Sequence, residues 1–206
     1  MLQPAGIEIV SFKQKRSPSE LANLVSDADA GSYHFAQVQA EVVNTMTKAK
    51  AIVRYGIGFD KVDIAFARKL GIPVCNIPDC YIDEVADHML AFILAVSRQV
   101  VPTVLHLREG KWGLATPLAS MSALKHPAAG IVGFGRIGRE AVKRLLAFKA
   151  RVLVFDPVVA ADEIAGSAAV AAGSFDELLA HSDIVSPHCP STPETKHCSM
   201  PRGSRR

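Results

Sequence analysis

Apolar and polar side chains alternate over Ile7-Glu8-Ile9-Val10, the two-residue period of a half-buried strand. Ser17-Pro18-Ser19-Glu20 then supplies an N-cap, a proline at the first helical position and a capping-box Glu, so a strand leads into a helix. Ala51-Ile52-Val53 predicts a short buried strand and Gly56-Ile57-Gly58 a flexible turn. Residues 60–70 carry a helical period that Gly71 closes, where a left-handed cap is needed. Pro73-Val74-Cys75-Asn76 returns as a strand. Residues 83–100 predict one long helix. Its Val85, Met89, Leu90, Phe92, Ile93 and Val96 spread over much of the circumference, which implies burial on more than one side.

Gly110, Trp112, Gly113, Thr116, Pro117, Ser120 and Ser122 break any long period between residues 101 and 129, and this predicts a domain crossover there. Order resumes with the strand Gly130-Ile131-Val132-Gly133 and a helix to about residue 148. A strand over 151–155, a helix opened by the capping pair Ser174 and Glu177, and a strand over 183–186 complete the pattern, for three strands in this half. Alternating strands and helices predict parallel βαβ packing, the α/β class, with residues 1–100 and 101–206 as the two domains.

The 206 residues are enough for one to two domains, and 49% hydrophobic with 21% charged residues suits a folded chain rather than a disordered one. The net charge of +3 comes from 23 basic and 20 acidic side chains. Arg202, Arg205 and Arg206 account for the whole excess, so no basic face for nucleic acid is expected. The longest apolar stretch, residues 89–96, is far too short to span a membrane, and Met1-Leu2-Gln3-Pro4 shows no secretory pattern. Cys75, Cys80, Cys189 and Cys198 have neither C-x-x-C nor zinc-site spacing, so reduced thiols in a cytoplasmic protein without a metal are expected.

The sharpest chemical signal is Gly133-Phe134-Gly135-Arg136-Ile137-Gly138, a G-x-G-x-x-G that follows an apolar strand and opens a helix. Gly133 permits the tight turn, Gly135 lets a pyrophosphate approach the backbone, and Gly138 lets helix and strand pack closely. Eighteen residues after Gly138 stands Asp156, at the end of the next strand. A carboxylate there accepts from both adenosine ribose hydroxyls and repels a 2′-phosphate, which favours NAD over NADP.

His188-Cys189-Pro190 lies just past the last predicted strand, where open parallel sheets bind ligands, yet a loop histidine with no carboxylate in view reads as structural. His88 follows Asp87 on a helix, and adjacent helical positions do not face each other, so a buried, hydrogen-bonded His88 is expected rather than a dyad. Cys189 reads as a packed small hydrophobe. Gly56-Ile57-Gly58 is equally a plain turn or a set of backbone N–H groups for a substrate carboxylate.

Residues 54–63 (Arg54-Tyr55-Gly56-Ile57-Gly58-Phe59-Asp60-Lys61-Val62-Asp63), Gly71-Ile72-Pro73-Val74-Cys75-Asn76, Glu84-Val85-Ala86-Asp87-His88, the glycine motif and His188-Cys189-Pro190 together resemble the NAD-dependent D-isomer-specific 2-hydroxyacid dehydrogenases. That family includes phosphoglycerate and glycerate dehydrogenases and the C-terminal-binding corepressors. The resemblance covers about residues 18 to 197. It implies two Rossmann-like domains, a flavodoxin-like one for the 2-hydroxy or 2-oxo acid substrate and one for NAD, with the active site in the cleft between them. It implies further that Arg136 and Ile137 contact the pyrophosphate, Asp156 the ribose, and His188, Cys189, Pro190 and Thr195 the cofactor. Gly56, Ile57 and Gly58 would lie against the substrate carboxylate. The full-length family member is expected to be a homodimer.

Against the family pattern, a strand and helix before Ile7 and everything after His197, including the catalytic Arg, Glu and His, have no counterpart. Both domains are therefore expected to be incomplete, and this chain to be inactive and poorly stable alone. The alternative function is an NAD-responsive binding module of the corepressor type.

Overall fold

The computed structural model describes residues 6–12, 16–192 and 195. The chain divides into two compact units, residues 1–80 and 81–206.

In the first unit, helix α1 (Pro18–Val25) opens with the expected capping box: Ser17 Oγ accepts from the Glu20 N–H, and the Ser17 N–H donates to Glu20 Oε2 at 2.9 Å. Strand β1 (Gly31–Tyr33), helix α2 (Ala40–Val43), strand β2 (Ile52–Arg54), helix α3 (Ile64–Lys69) and strand β3 (Val74–Asn76) follow. The three strands form one parallel sheet in the order β1-β2-β3. Its core is Val42, Val43, Met46, Ile52, Val62 and Ala67, all buried. Helix α3 starts later than the pattern predicts, because the Asp63 carboxylate caps it by accepting from the Phe66 N–H at 2.9 Å. Gly71 takes the expected left-handed backbone, with φ at +73°.

Ile7-Glu8-Ile9-Val10 is not a strand. No neighbouring strand pairs with it among the described residues, and Ile7, Ile9 and Val10 are exposed, so the alternation has no sheet to face.

The second unit runs α4 (Ile82–Ser97), α5 (Val100–Arg108), a short 3₁₀ turn (Leu118–Ser120), β4 (Ala128–Val132), α6 (Arg136–Ala147), β5 (Arg151–Phe155), α7 (Ala161–Ala165), β6 (Val170–Ala171), α8 (Phe175–Ala180) and β7 (Ile184–Pro187). Its sheet is parallel throughout, in the order β6-β5-β4-β7. Four strands rather than the three expected are present, because β6 hides in the alanine-rich stretch before Ser174. Ile131, Val142, Leu145, Val152 and Val154 form the centre of a core that also takes Met89 and Ile93 from α4.

That docking moves the domain boundary. The pattern places it at residue 100, but α4 packs on α6 and so belongs to the second unit. Arg144 of α6 donates to Asp83 at 2.7 Å and to Asp87 at 2.5 Å on α4, and to Glu140 one turn back on its own helix. Helix α4 is buried along one side only, through Ala86, Met89 and Ile93, while Phe92 and Val96 are exposed. The broad apolar circumference read from the sequence thus overstated its burial. No single helix among the described residues is long and apolar enough to cross a membrane; α4 and α5 pass such a test only jointly, and a 61° bend separates them.

Candidate cofactor and substrate loops

The glycine motif forms the joint between β4 and α6. Gly133, just past the strand, has φ at +97°, a backbone that side chains rarely adopt. A Cβ there would also meet Cys189 N at 2.9 Å and the His188 carbonyl carbon at 3.0 Å, so the turn presses against the loop after β7. A Cβ on Gly138 would fall 2.0 Å from the Gly133 carbonyl oxygen, which is backbone and cannot step aside. Gly135 differs from both. It is the N-cap of α6, has ordinary φ, and a Cβ on it would meet nothing within 4 Å. Arg136 and Ile137 begin the helix behind it, Arg136 exposed and Ile137 half-buried. The backbone at Gly135 therefore opens to space in front of a twelve-residue helix, whose unpaired N–H groups and dipole favour an anion. A pyrophosphate fits this opening.

Asp156, one residue past β5, is fixed by backbone donors. Its Oδ2 accepts from the Phe134 N–H at 2.7 Å, and its Oδ1 accepts from Val158 at 2.8 Å and Val159 at 3.2 Å. Partial burial opposes its ionisation, but these three N–H groups and Arg139 outweigh it and hold the carboxyl below the usual range. The sequence motif does not reveal Phe134 as the donor that locks the acid to the glycine turn; only the backbone path of the turn does. Three of roughly four lone-pair positions are thereby taken.

The loop after β7 closes beneath the turn. The His188 N–H donates to the Val132 carbonyl at 2.7 Å, and His188 Nε2 lies 3.1 Å from Ser186 Oγ. Thr195 Oγ1 donates to the Pro190 carbonyl at 2.6 Å and accepts from the Thr192 N–H at 2.8 Å, which ties this loop to itself. Cys189 is half-buried. Pro193, Glu194 and residues 196–206, with Cys198 and the departure from the family pattern, lie outside the described residues. The backbone of His188 and Cys189 thus lies against the glycine turn, while Thr195 bonds within its own loop.

Burial holds the His188 imidazole below its usual 6.5, in the neutral form. Unfolding restores the ordinary value, so His188 contributes stability that is present above about pH 6.5 and lost as pH falls through the depressed folded value. Urea midpoints at about pH 7.5 and about pH 5.5 are expected to differ less in His188→Asn than in the wild type; an identical pH dependence would remove His188 as a cause.

His88 is exposed rather than buried and stands edge-on to Phe92 at 4.4 Å, while Asp87 turns to Arg144 instead. The helix side carrying His88 is the one facing away from the core. Among the described residues no group of three or more His, Cys, Asp or Glu side chains is placed to hold a metal.

In the first unit, Tyr33, Arg54 and Asn76 stand in register at the carboxyl ends of the three strands. Gly56, with φ at +144°, begins the turn that follows β2, and a Cβ there would collide with the Arg54 guanidinium at 1.2 Å. Arg54 Nη1 donates to the Tyr55 carbonyl at 2.8 Å, and Asn76 Nδ2 donates to the Ile57 carbonyl at 2.8 Å. Gly56 is buried, Ile57 half-buried and Gly58 exposed. The turn is thus braced from both sides by strand-end side chains, which the glycines alone did not disclose. Spacing alone gives Arg54 no role; its signal is a cation at the end of a half-buried strand.

Residues 90–200 match the family model of the D-isomer specific 2-hydroxyacid dehydrogenase, NAD binding domain. The chain belongs to this family. Its second unit carries the family's NAD-binding domain, which agrees with the opening at Gly135 and the acid at Asp156. Among similar proteins, the D-3-phosphoglycerate dehydrogenase of Mycobacterium leprae is 38% identical over 178 residues, covering 86% of this chain and 33% of its own. The glyoxylate reductase of Thermococcus litoralis is 34% identical over 195 residues, covering 91% of this chain and 55% of its own. A solved D-lactate dehydrogenase from Aquifex aeolicus, complexed with NAD and lactic acid, superposes with a TM-score of 0.80 at 30% identity, covering 86% of this chain and 53% of that one. The chain thus spans between a third and somewhat over half of these relatives' lengths.

Proposed function

We propose that this dehydrogenase-family chain serves an NAD-dependent oxidoreductase acting on the CH–OH group of a D-2-hydroxy acid, or on the corresponding 2-oxo acid. The observation that carries the reading is the open backbone at Gly135, joined through Phe134 to an ionised Asp156. When bound, NAD supplies the hydride acceptor or donor. Gly133, Gly135, Arg136, Ile137 and Gly138 bind its pyrophosphate against the start of α6. Asp156 faces the adenosine ribose. Because most of its acceptor positions are already filled, its fixed negative charge carries the preference over NADP more than a pair of ribose hydrogen bonds does. His188, Cys189, Pro190 and Thr195 meet the cofactor from the loop packed against the turn. The turn at Gly56, Ile57 and Gly58 lies against the substrate carboxylate: the Gly56 N–H donates to the Arg54 carbonyl at 2.9 Å and fixes the turn, the backbone N–H groups of Ile57 and Gly58 are offered to the acid, and Arg54 and Asn76 brace the shape.

Self-association as a homodimer accords with this family and with the apolar groups left exposed on and after α5, where Val101 and Leu105 stand outward and Trp112 is 95% exposed. Two calorimetric titrations test the function: NADH into the protein, then glyoxylate or pyruvate into the protein–NADH complex. The expected result is binding in both. Uptake of NADH followed by no uptake of either acid would contradict the oxidoreductase and leave a cofactor-responsive binding module.

A further inference from the structure

The turn that anchors Asp156 is covered by a side chain outside the glycine motif. Arg139 stands in the first turns of α6, its backbone N–H donating to the Gly135 carbonyl at 3.0 Å. Its guanidinium carbon lies 4.3 Å from the centroid of the buried Phe134 ring, a cation–π stack. Phe134 is also the residue whose N–H fixes Asp156 Oδ2. The same guanidinium donates through Nη2 to Glu163 Oε1 at 2.6 Å. Glu163 lies in the first turn of α7, the helix that follows Asp156, and Val158 and Val159 between them donate to Asp156 Oδ1. Two acids on one stretch of chain therefore grip the start of α6, one through the Phe134 backbone and the other through Arg139.

This contact brings a cation to the edge where the acid sits. Against the burial that opposes ionisation, three backbone donors and then the Arg139 charge hold the Asp156 carboxyl below the usual range, so the guanidinium acts on this group. An arginine beside the adenosine ribose is the side chain that receives a 2′-phosphate, and its planar fork suits phosphate oxygens. Taken alone, Arg139 would work against the preference that Asp156 sets. Glu163 removes that conflict, because it neutralises the guanidinium and holds it toward α7. Both partners are partly exposed, and such an ion pair contributes little to stability. Its effect on a third charge is the larger consequence.

We propose that Glu163 is a specificity-determining residue for the cofactor, acting through Arg139: by holding the guanidinium it withholds a cation placed to bind a 2′-phosphate. This rests on NAD binding at the glycine turn, as proposed above, and adds to Asp156 a second, indirect source of the preference for NAD. Asp156 repels the phosphate by its own charge, whereas Glu163 denies it a partner. With Glu163 uncharged, Arg139 is free to turn to the phosphate.

The full chain is titrated with NADH and with NADPH, read by nucleotide fluorescence, as wild type, Glu163→Gln, Arg139→Gln and the double variant. Glutamine is isosteric with Glu163 and the site is exposed, so the variant keeps its fold. In Glu163→Gln the affinity for NADPH relative to NADH is expected to rise by about threefold to tenfold. Removing one negative charge would by itself give the same gain whether or not Arg139 is present, so the double variant separates the two causes. With Arg139→Gln the gain from Glu163→Gln is expected to shrink to about a third or less. An unchanged ratio in Glu163→Gln, or an equal gain with and without Arg139, overturns the assignment while leaving NAD binding standing. If the wild type takes up neither nucleotide, the function on which the inference rests falls with it.

Discussion

Gly135→Val is expected to weaken NADH binding by about a hundredfold, equivalent to roughly 2.7 kcal/mol, while changing stability little. The two effects separate because of what surrounds this residue. A Cβ on Gly135 meets no protein atom within 4 Å, so the fold has room for it. Its φ of −74° is open to any residue. As the N-cap of α6 it gives up only the modest cost of a poorer cap, about 1 kcal/mol. The space the side chain enters is the space in front of the helix start, where a pyrophosphate must come within hydrogen-bonding distance of the backbone. Paired measurements of NADH affinity by fluorescence and of thermal midpoint decide it. Unaltered affinity would show that the opening is not where the cofactor binds.

Gly138→Ala is expected to have the opposite signature. One methyl group placed 2.0 Å from the Gly133 carbonyl oxygen forces β4 and α6 apart, and both obstructing atoms belong to the backbone. The same helix buries Ala141, Val142 and Leu145 in the second unit's core, so the shift is felt across the whole layer. A loss of about 3 kcal/mol is expected, which lowers the thermal midpoint by roughly 6 to 12 °C. Loss of cofactor binding would follow from the displaced helix. A midpoint within about 1 °C of the wild type would mean that the close approach of helix to strand is not needed. The two glycines, three residues apart in one motif, thus serve different ends: one makes room for a ligand, the other for the protein itself.

This division was legible in the sequence because each part depends on local chemistry. A glycine run between an apolar strand and a helix, followed by an acid at the end of the next strand, reports its context directly. The capping boxes at Ser17 and Ser174 were legible for the same reason, since both lie within four residues; Ser174 Oγ accepts from Glu177 N–H at 3.1 Å. Where formation depends on a distant partner, the pattern failed. Ile7 to Val10 alternates correctly but finds no strand to pair with. Strand β1 has only Tyr33 buried, and β6 is two residues long, so neither carries a periodic signal. Helix α5 buries none of its residues, so its apolar side chains mark no core-facing side. Helix α4 looked like the end of the first domain because its apolar residues are numerous; only its ion pairs with Arg144 and the docking of Met89 and Ile93 assign it to the second. In the site, Asp156 was readable but its anchor on Phe134 was not, because a backbone N–H has no sequence signature.

The central claim is that Gly133 to Gly138 and Asp156 form one site selective for NAD. It is tested most directly by titrating the wild-type chain with NADH and with NADPH under identical conditions. Asp156 is held ionised by three backbone donors and by Arg139, so a 2′-phosphate brought beside it meets a fixed charge of its own sign. The account predicts NADH binding at least about tenfold tighter than NADPH. Equal affinities, or tighter binding of NADPH, would contradict it.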